Sequence, residues 1–174
     1  MPLFRQTNKP GFTLMEILII VGIIALLNSL AVIGVQQARK NAKISKAKND
    51  LDAIATAIGQ LMVDTGEWPG HQTPEEINNV SGNEIWDLNA SSSGIVATDG
   101  LYDNWKGPYM PEVRKDPWGS NYFFDTDYEI KADGTPCDGS TGCRTAAVIG
   151  SFGPDREGKN LYNADDIIKI LTAE

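Results

Sequence analysis

Residues 17–38 form a run of 22 consecutive uncharged positions, most of them aliphatic. As a helix rising about 1.5 Å per residue, such a run spans roughly 33 Å, the thickness of a bilayer's hydrocarbon core. It reads as a membrane segment. A cleavable secretory signal also follows a short basic leader, but its apolar region is only about 7–15 residues long and ends at a small-residue cleavage site. Here the run continues into more helix. Ile44, Ala47, Leu51, Ile54, Ala55, Ile58, Leu61 and Met62 recur at steps of three and four, the period of one helix face. The spacing predicts one helix from Phe12 to about Asp64, stopped by Gly66 and by Pro69, which cannot continue it.

Charge divides the 174 residues sharply. The first eleven carry Arg5 and Lys9 with no acid, residues 12–38 carry Glu16 alone, and residues 39–48 carry five bases with no acid. From Asn49 onward eight bases face 22 acids, a net of −14, which argues against a nucleic-acid-binding role for that part. A positive-inside count, with five bases after the span, would place the body in the cytoplasm. Cys137 and Cys143 argue the other way. They bracket a short polar loop that a disulfide could close, and disulfides persist in oxidising compartments. Free thiols or half a zinc site are the alternatives, but no further ligand stands nearby and His71, the only histidine, is remote.

After the helix the chain changes character. Thr73-Pro74-Glu75-Glu76 and Ser81-Gly82-Asn83-Glu84 have capping-box spacing and predict one or two short helices between His71 and Leu88. Residues 89–100 read as a loop. The runs 121–132 and 144–152, separated by turn-formers, read as an antiparallel hairpin with the cysteine loop at its tip. The fold class is therefore α+β: a long N-terminal helix, half membrane-spanning and half amphipathic, packed on a small C-terminal antiparallel sheet with a loop-rich end. Residues 1–11 form a leader, 12–38 the membrane or filament-core helix, 39–65 its amphipathic half, and 66–174 a globular head.

Catalysis finds no footing. No G-x-S-x-G, P-loop or H-E-x-x-H pattern is present, and carboxylate pairs arise by chance on an acidic surface. Asp116-Pro117-Trp118-Gly119 reads as a turn, with Trp118 filling the core. Asp155, Asp165 and Asp166 lie on a Gly-containing loop, where they suit either calcium or a plain turn followed by a helix N-terminus. Asp125-x-Asp127-x-Glu129 is not an EF-hand, because Ile130 stands where the sharp turn needs glycine.

Gly11-Phe12-Thr13-Leu14-Met15-Glu16, directly before the apolar run, resembles the type III signal of type IV pilins and their relatives. An acid inside hydrocarbon costs about 2.5–3.5 kcal/mol, so Glu16 is expected to have a function. The resemblance implies cleavage by prepilin peptidase between Gly11 and Phe12, N-methylation of Phe12, and a role for Glu16 in assembly. Cleavage removes Arg5 and Lys9 and takes the formal net charge from −8 to −10.

Trp68-Pro69, Gly107-Pro108-Tyr109, Asp116-Pro117-Trp118-Gly119 with Tyr122, and Ser151-Phe152-Gly153-Pro154-Asp155 with Asp165-Asp166-Ile167 are similar, in order, to the major pseudopilin of type II secretion systems, general secretion pathway protein G. That resemblance implies a structural subunit, not an enzyme, of a helical homo-oligomeric pseudopilus that drives protein export. Its partners are the inner membrane, prepilin peptidase, the assembly platform and minor pseudopilins, with no nucleic acid. It implies a single-pass bacterial inner-membrane protein with its C-terminal domain in the periplasm or outside. It also implies calcium, held by Asp155, Asp165 and Asp166, with Asn163 as a further ligand and the carbonyl of Phe152 contributing. The sequence departs from the family at Ile33-Gly34, where a proline is usual, in its cysteine pair, and in the longer segment between Asp155 and Asp165. A type IV pilin of a surface filament, for adhesion, motility or DNA uptake, is the alternative.

Overall fold

The computed structural model describes residues 11–74, 82–137, 139, 141–159, 161 and 163–173, with the side chains of 28–33 outside the description. The chain divides into two compact units, Met1–Asn41 and Ala42–Glu174. Helix α1, Leu14–Thr65, contributes to both.

Thr13 starts α1 as a capping box. Its backbone N–H and its hydroxyl both donate to Glu16 Oε2 at 3.0 Å, and the Glu16 N–H donates back to Thr13 Oγ1 at 3.2 Å. The helix ends where Gly66, at φ 78°, donates its N–H to the Met62 carbonyl at 2.8 Å. That left-handed conformation is open to glycine at little cost and closes the last turn. In its first turns the helix is apolar around its circumference apart from Glu16: Leu14, Met15 and Leu18 are 82%, 74% and 67% exposed, and the aliphatic residues from Ile17 to Leu27 are all solvent-facing. Among the described residues no helix is long and apolar enough to cross a membrane. The expected span, 17–38, includes 28–33, whose side chains lie outside the described ones.

In the second unit α1 becomes one-sided. Ala47, Leu51, Ile54, Ile58 and Leu61 are buried at steps of four and three, with Ala57 beside them, whereas Met62 is exposed. All of these buried residues but Leu61 pack into one core with Trp68, Leu88, Trp118, Phe124, Ile149 and Ile167. Strands β1 (Phe123–Ile130), β2 (Arg144–Ser151) and β3 (Ile167–Ala173) form an antiparallel sheet in the order β1-β2-β3. Alternation along the strands explains its two faces. Phe124, Ala147 and Ile149 meet the helix side, while Phe123, Ala146 and Val148 face a second cluster with Tyr128 and Phe152 that Trp86 covers. A bulge between Asp125 and Tyr128 interrupts the β1 register.

Two expectations change. The segment 82–88 holds no helix; Ile85 instead bridges Phe124 antiparallel, extending the sheet past β1. Residues 75–81, where the rest of the expected helical region falls, lie outside the description. The acids Asp165 and Asp166 precede a strand, not a helix, because the Ile167–Ala173 segment completes its backbone bonding on the free edge of β2.

Each fully buried aliphatic side chain on this face contributes about 1.5–3 kcal/mol. Leu51→Ala should therefore lower unfolding stability by about 2–5 kcal/mol, while Val63→Ala, at an exposed position, should stay within about 0.5 kcal/mol. Denaturant unfolding of the full chain in detergent reads both.

Candidate functional site

Three places nominated by the sequence can be inspected: the N-terminal polar group, the cysteine loop and the acidic C-terminal loop. At the first, Phe12 is 79% exposed and Glu16 is held by Thr13. The carboxylate thus serves its own helix start in the single chain. Thr13-x-x-Glu16 is legible as a capping box, a signal that attention to Glu16 alone overlooks.

Cys137 and Cys143 are joined in a disulfide, with Cα atoms 6.1 Å apart. Cys137 is fully buried beside the end of β1, its N–H donating to the Glu129 carbonyl at 2.9 Å. Among the described residues, Glu129, Cys137 and Cys143 are the group of three potential metal ligands that lies within 4.8 Å. Sulfurs bonded to each other are not the thiolates that zinc requires. His71 is an ionic clasp, with Nδ1 2.7 Å from Glu67, Nε2 3.1 Å from Asp99 and its ring stacked on Tyr102. Burial works against the charged ring, but Asp99 and Glu67 outweigh it and raise the pKa above the usual histidine value.

The acidic loop begins where β2 ends. Phe152 stacks on Phe123 at 4.8 Å between ring centres, and Gly153 follows at φ 67°. A Cβ there would lie 2.1 Å from the Asp165 carbonyl oxygen, so the two ends of the loop can approach only at a glycine. Asp155, Asn163 and Asp165 come together, and the Asp166 carboxylate is held by Tyr128 instead. Asp165 Oδ2 accepts from the Asp155 N–H at 3.2 Å, Asn163 Nδ2 donates to Asp155 Oδ2 at 3.0 Å, and Asn163 Oδ1 accepts from the Asp165 N–H at 3.2 Å. Asp166 is buried, with Oδ2 accepting from the Tyr128 hydroxyl at 2.6 Å and Oδ1 buried with no hydrogen-bond donor. Burial pushes Asp166 up to about 6, with the charges of Asp165 and Asp155 adding and Tyr128 opposing.

A further residue, read in the sequence as a plain turn-former, anchors this loop. Asp116 is 5% exposed. Its Oδ1 accepts from the backbone of Trp118 at 3.0 Å and Ser120 at 2.8 Å, and its Oδ2 accepts from the Ser151 hydroxyl at 2.6 Å. Ser151 Oγ in turn accepts from the Gly153 N–H at 3.1 Å. The Asp-Pro-Trp-Gly turn is thereby wired to the end of β2 and the start of the loop.

The family described as type II secretion system (T2SS), protein G matches residues 34–151, which contain the core half of α1, the Asp116 turn and strands β1 and β2. The chain belongs to this family. The type II secretion system core protein G of Pseudomonas aeruginosa is 30% identical over 121 residues, covering 68% of this chain and 74% of that protein. A fimbrial protein of Neisseria meningitidis serogroup B is 31% identical over 68 residues, 39% of this chain and 40% of that one. One solved structure, the major pseudopilin from the type 2 secretion system of enterohaemorrhagic Escherichia coli, is 18% identical with a TM-score of 0.45, covering 77% of this chain and 91% of that chain.

In this protein G family member the Asp116 network should be the costliest polar feature to remove. Asp116→Ala leaves the buried Trp118 N–H, the half-buried Ser120 N–H and the buried Ser151 hydroxyl without their acceptor, and should lower unfolding stability by about 3 kcal/mol or more. Asp52→Ala, which loses only an exposed pair with Lys169, should cost less than about 1 kcal/mol. Thermal unfolding monitored by circular dichroism distinguishes them.

Proposed function

We propose that this chain is a structural subunit of a type II secretion pseudopilus, a helical filament of many copies that drives export of folded proteins. The observation that carries this reading is the first turns of α1. In a member of the protein G family, Phe12, Leu14, Met15, Ile17 and Leu18 stand exposed at the start of the helix. A helix apolar on all sides needs hydrocarbon or other protein around it. The inner membrane supplies the first before assembly, and neighbouring copies supply the second in the filament.

Processing follows from the same segment. Prepilin peptidase cuts between Gly11 and Phe12 and methylates the new amino terminus. In the filament the Glu16 carboxylate pairs with the cationic amine of a neighbouring Phe12, because a charge in apolar surroundings is tolerated when paired and hydrogen-bonded. The assembly platform and minor pseudopilins are the partners in that process. The body lies on the oxidising side of the membrane, a placement that the Cys137–Cys143 disulfide supports. No catalytic role is assigned.

Calcium belongs to this proposal as a structural ion of the acidic loop. Two observations support it: Asp166 Oδ1 is buried with no donor, and Asp155, Asn163 and Asp165 bond one another in the same loop, oxygen donors of the kind a hard cation takes. Asp155, Asp165 and Asp166 would hold it with Asn163 and the Phe152 carbonyl. The ion supplies positive charge that lets three acids share one loop. A type IV pilin remains the second reading, favoured by the stretch in common with the meningococcal fimbrial protein.

Amino-terminal mass analysis of assembled protein should show N-methylated Phe12; an intact Met1 contradicts the reading. In cells lacking the native copy, Glu16→Ala should enter the membrane but reduce filament yield and secretion at least tenfold, and normal yield would place axial register elsewhere. Calcium at a hundredfold excess over Kd stabilises a native state by about 2.7 kcal/mol. The full chain should melt higher in millimolar calcium than in chelator, and Asp155→Ala should shrink the difference. Equal curves for the unaltered chain contradict the calcium proposal.

A further inference from the structure

His71, the only histidine of the chain, sits where separate stretches of the body meet. Its backbone lies in the left-handed region at φ 59°, directly after Gly70 at φ 75°. The ring thereby meets Glu67, just past the end of α1, with Nδ1 2.7 Å from Glu67 Oε2. Across the ring, Nε2 lies 3.1 Å from Oδ2 of Asp99, a residue 28 positions along the chain. One ring face stacks on Tyr102, with centroids 3.9 Å apart.

An ionised carboxylate only accepts hydrogen bonds, so both ring nitrogens must donate, and an imidazole donates from both only when it is protonated. Water is partly shut out: the side chains of His71, Glu67 and Asp99 are 29%, 34% and 24% exposed. Among the described residues, Asp99 and Glu67 are the charges that act on the ring, and against the opposing effect of burial they favour its charged form. The Tyr102 hydroxyl is pushed up to about 12, chiefly by burial, and stays neutral throughout the physiological range.

We propose that His71 is a proton-controlled latch: protonated, it ties Asp99 and its loop to the turn after α1, and on losing its proton it releases Asp99. A neutral imidazole has one N–H and keeps one carboxylate. Glu67 is the nearer, so Asp99 is the one let go. Asp99 also shapes its own loop, its Oδ1 accepting from the Leu101 N–H at 3.0 Å. Tyr102 stays in place, because its hydroxyl accepts from the Gly70 N–H at 2.9 Å and donates to the Ser92 carbonyl at 2.7 Å whatever the charge on His71. Opening is therefore confined to residues 98–101, where Leu101 is already exposed. The folded chain holds the proton more tightly than the unfolded one. The latch thus contributes its full stability below about pH 6.5, the value of a free histidine, and loses it as pH rises through the higher folded value.

An NMR titration of the His71 ring in the full chain in detergent tests this, and one histidine makes the signal unique. Its midpoint should lie above that of a free histidine, the Leu101 amide should shift with the same midpoint, and Asp99→Asn should move the ring midpoint down. Melting temperature, followed by circular dichroism across the neutral range, should fall more steeply with rising pH in the unaltered chain than in His71→Asn, which keeps a residue tolerant of positive φ. Asp125 and Asp166, pushed up chiefly by burial to about 8 and about 6, titrate in the same range, so the difference between the two chains is the readout. A ring midpoint at or below the free value, or parallel melting profiles, overturns the latch. So does a raised midpoint that the Leu101 amide does not follow. If His71→Asn does not fold, the ring and amide titrations of the unaltered chain decide alone.

Discussion

Everything in the second unit depends on burying one face of α1 under the sheet. Ala47, Leu51, Ile54 and Ile58 present a stripe narrow enough to be covered by the inner residues of three strands, and Phe124, Ala147, Ile149 and Ile167 cover it. A three-stranded sheet alone leaves apolar surface on both faces. Here the helix closes one face, and Trp86 with Phe152 closes the other. The connecting loops can then be long and irregular, since their polar groups find partners in side chains. The Tyr102 hydroxyl, for example, accepts from the Gly70 N–H and donates to the Ser92 carbonyl, while Asn89 and Val113 bond reciprocally.

The same helix carries a different surface in the first unit. One face is apolar where the chain supplies its own sheet, and the exposed aliphatic residues from Ile17 to Leu27 surround the helix in its first turns. That change of pattern within the Leu14–Thr65 helix is the physical link between fold and assembly. The 42–174 body buries its own stripe within one copy, while the N-terminal turns present apolar side chains on their surface.

Local periodicity made the helix legible, because steps of three and four between residues 44 and 61 have one simple physical reading. Strands β1 and β2 were legible from their aromatic and aliphatic runs. The third strand was not: the Ile167–Ala173 segment follows two acids that resemble a helix start, and only the free edge of β2 decides its state. The bridge at Ile85 and the Ser151 bond to Asp116 were likewise hidden, since each joins residues more than thirty positions apart. The acids of the C-terminal loop stood out because they cluster in sequence. Asp125 and Asp127 were weighed only as a failed EF-hand, and the burial of Asp125 at the bulge of β1 is something no spacing along the chain reveals.

The central claim is that one helix serves two environments, its first turns meeting copies of itself and its second half meeting its own sheet. Electron cryomicroscopy of filaments sheared from cells tests it most directly. The account predicts a helical assembly with residues 12–41 bundled along the axis and the 42–174 bodies arrayed outside, each retaining Leu51, Ile54 and Ile58 against its own strands. A map with the bodies on the axis, or with those residues turned toward neighbouring subunits, would contradict it.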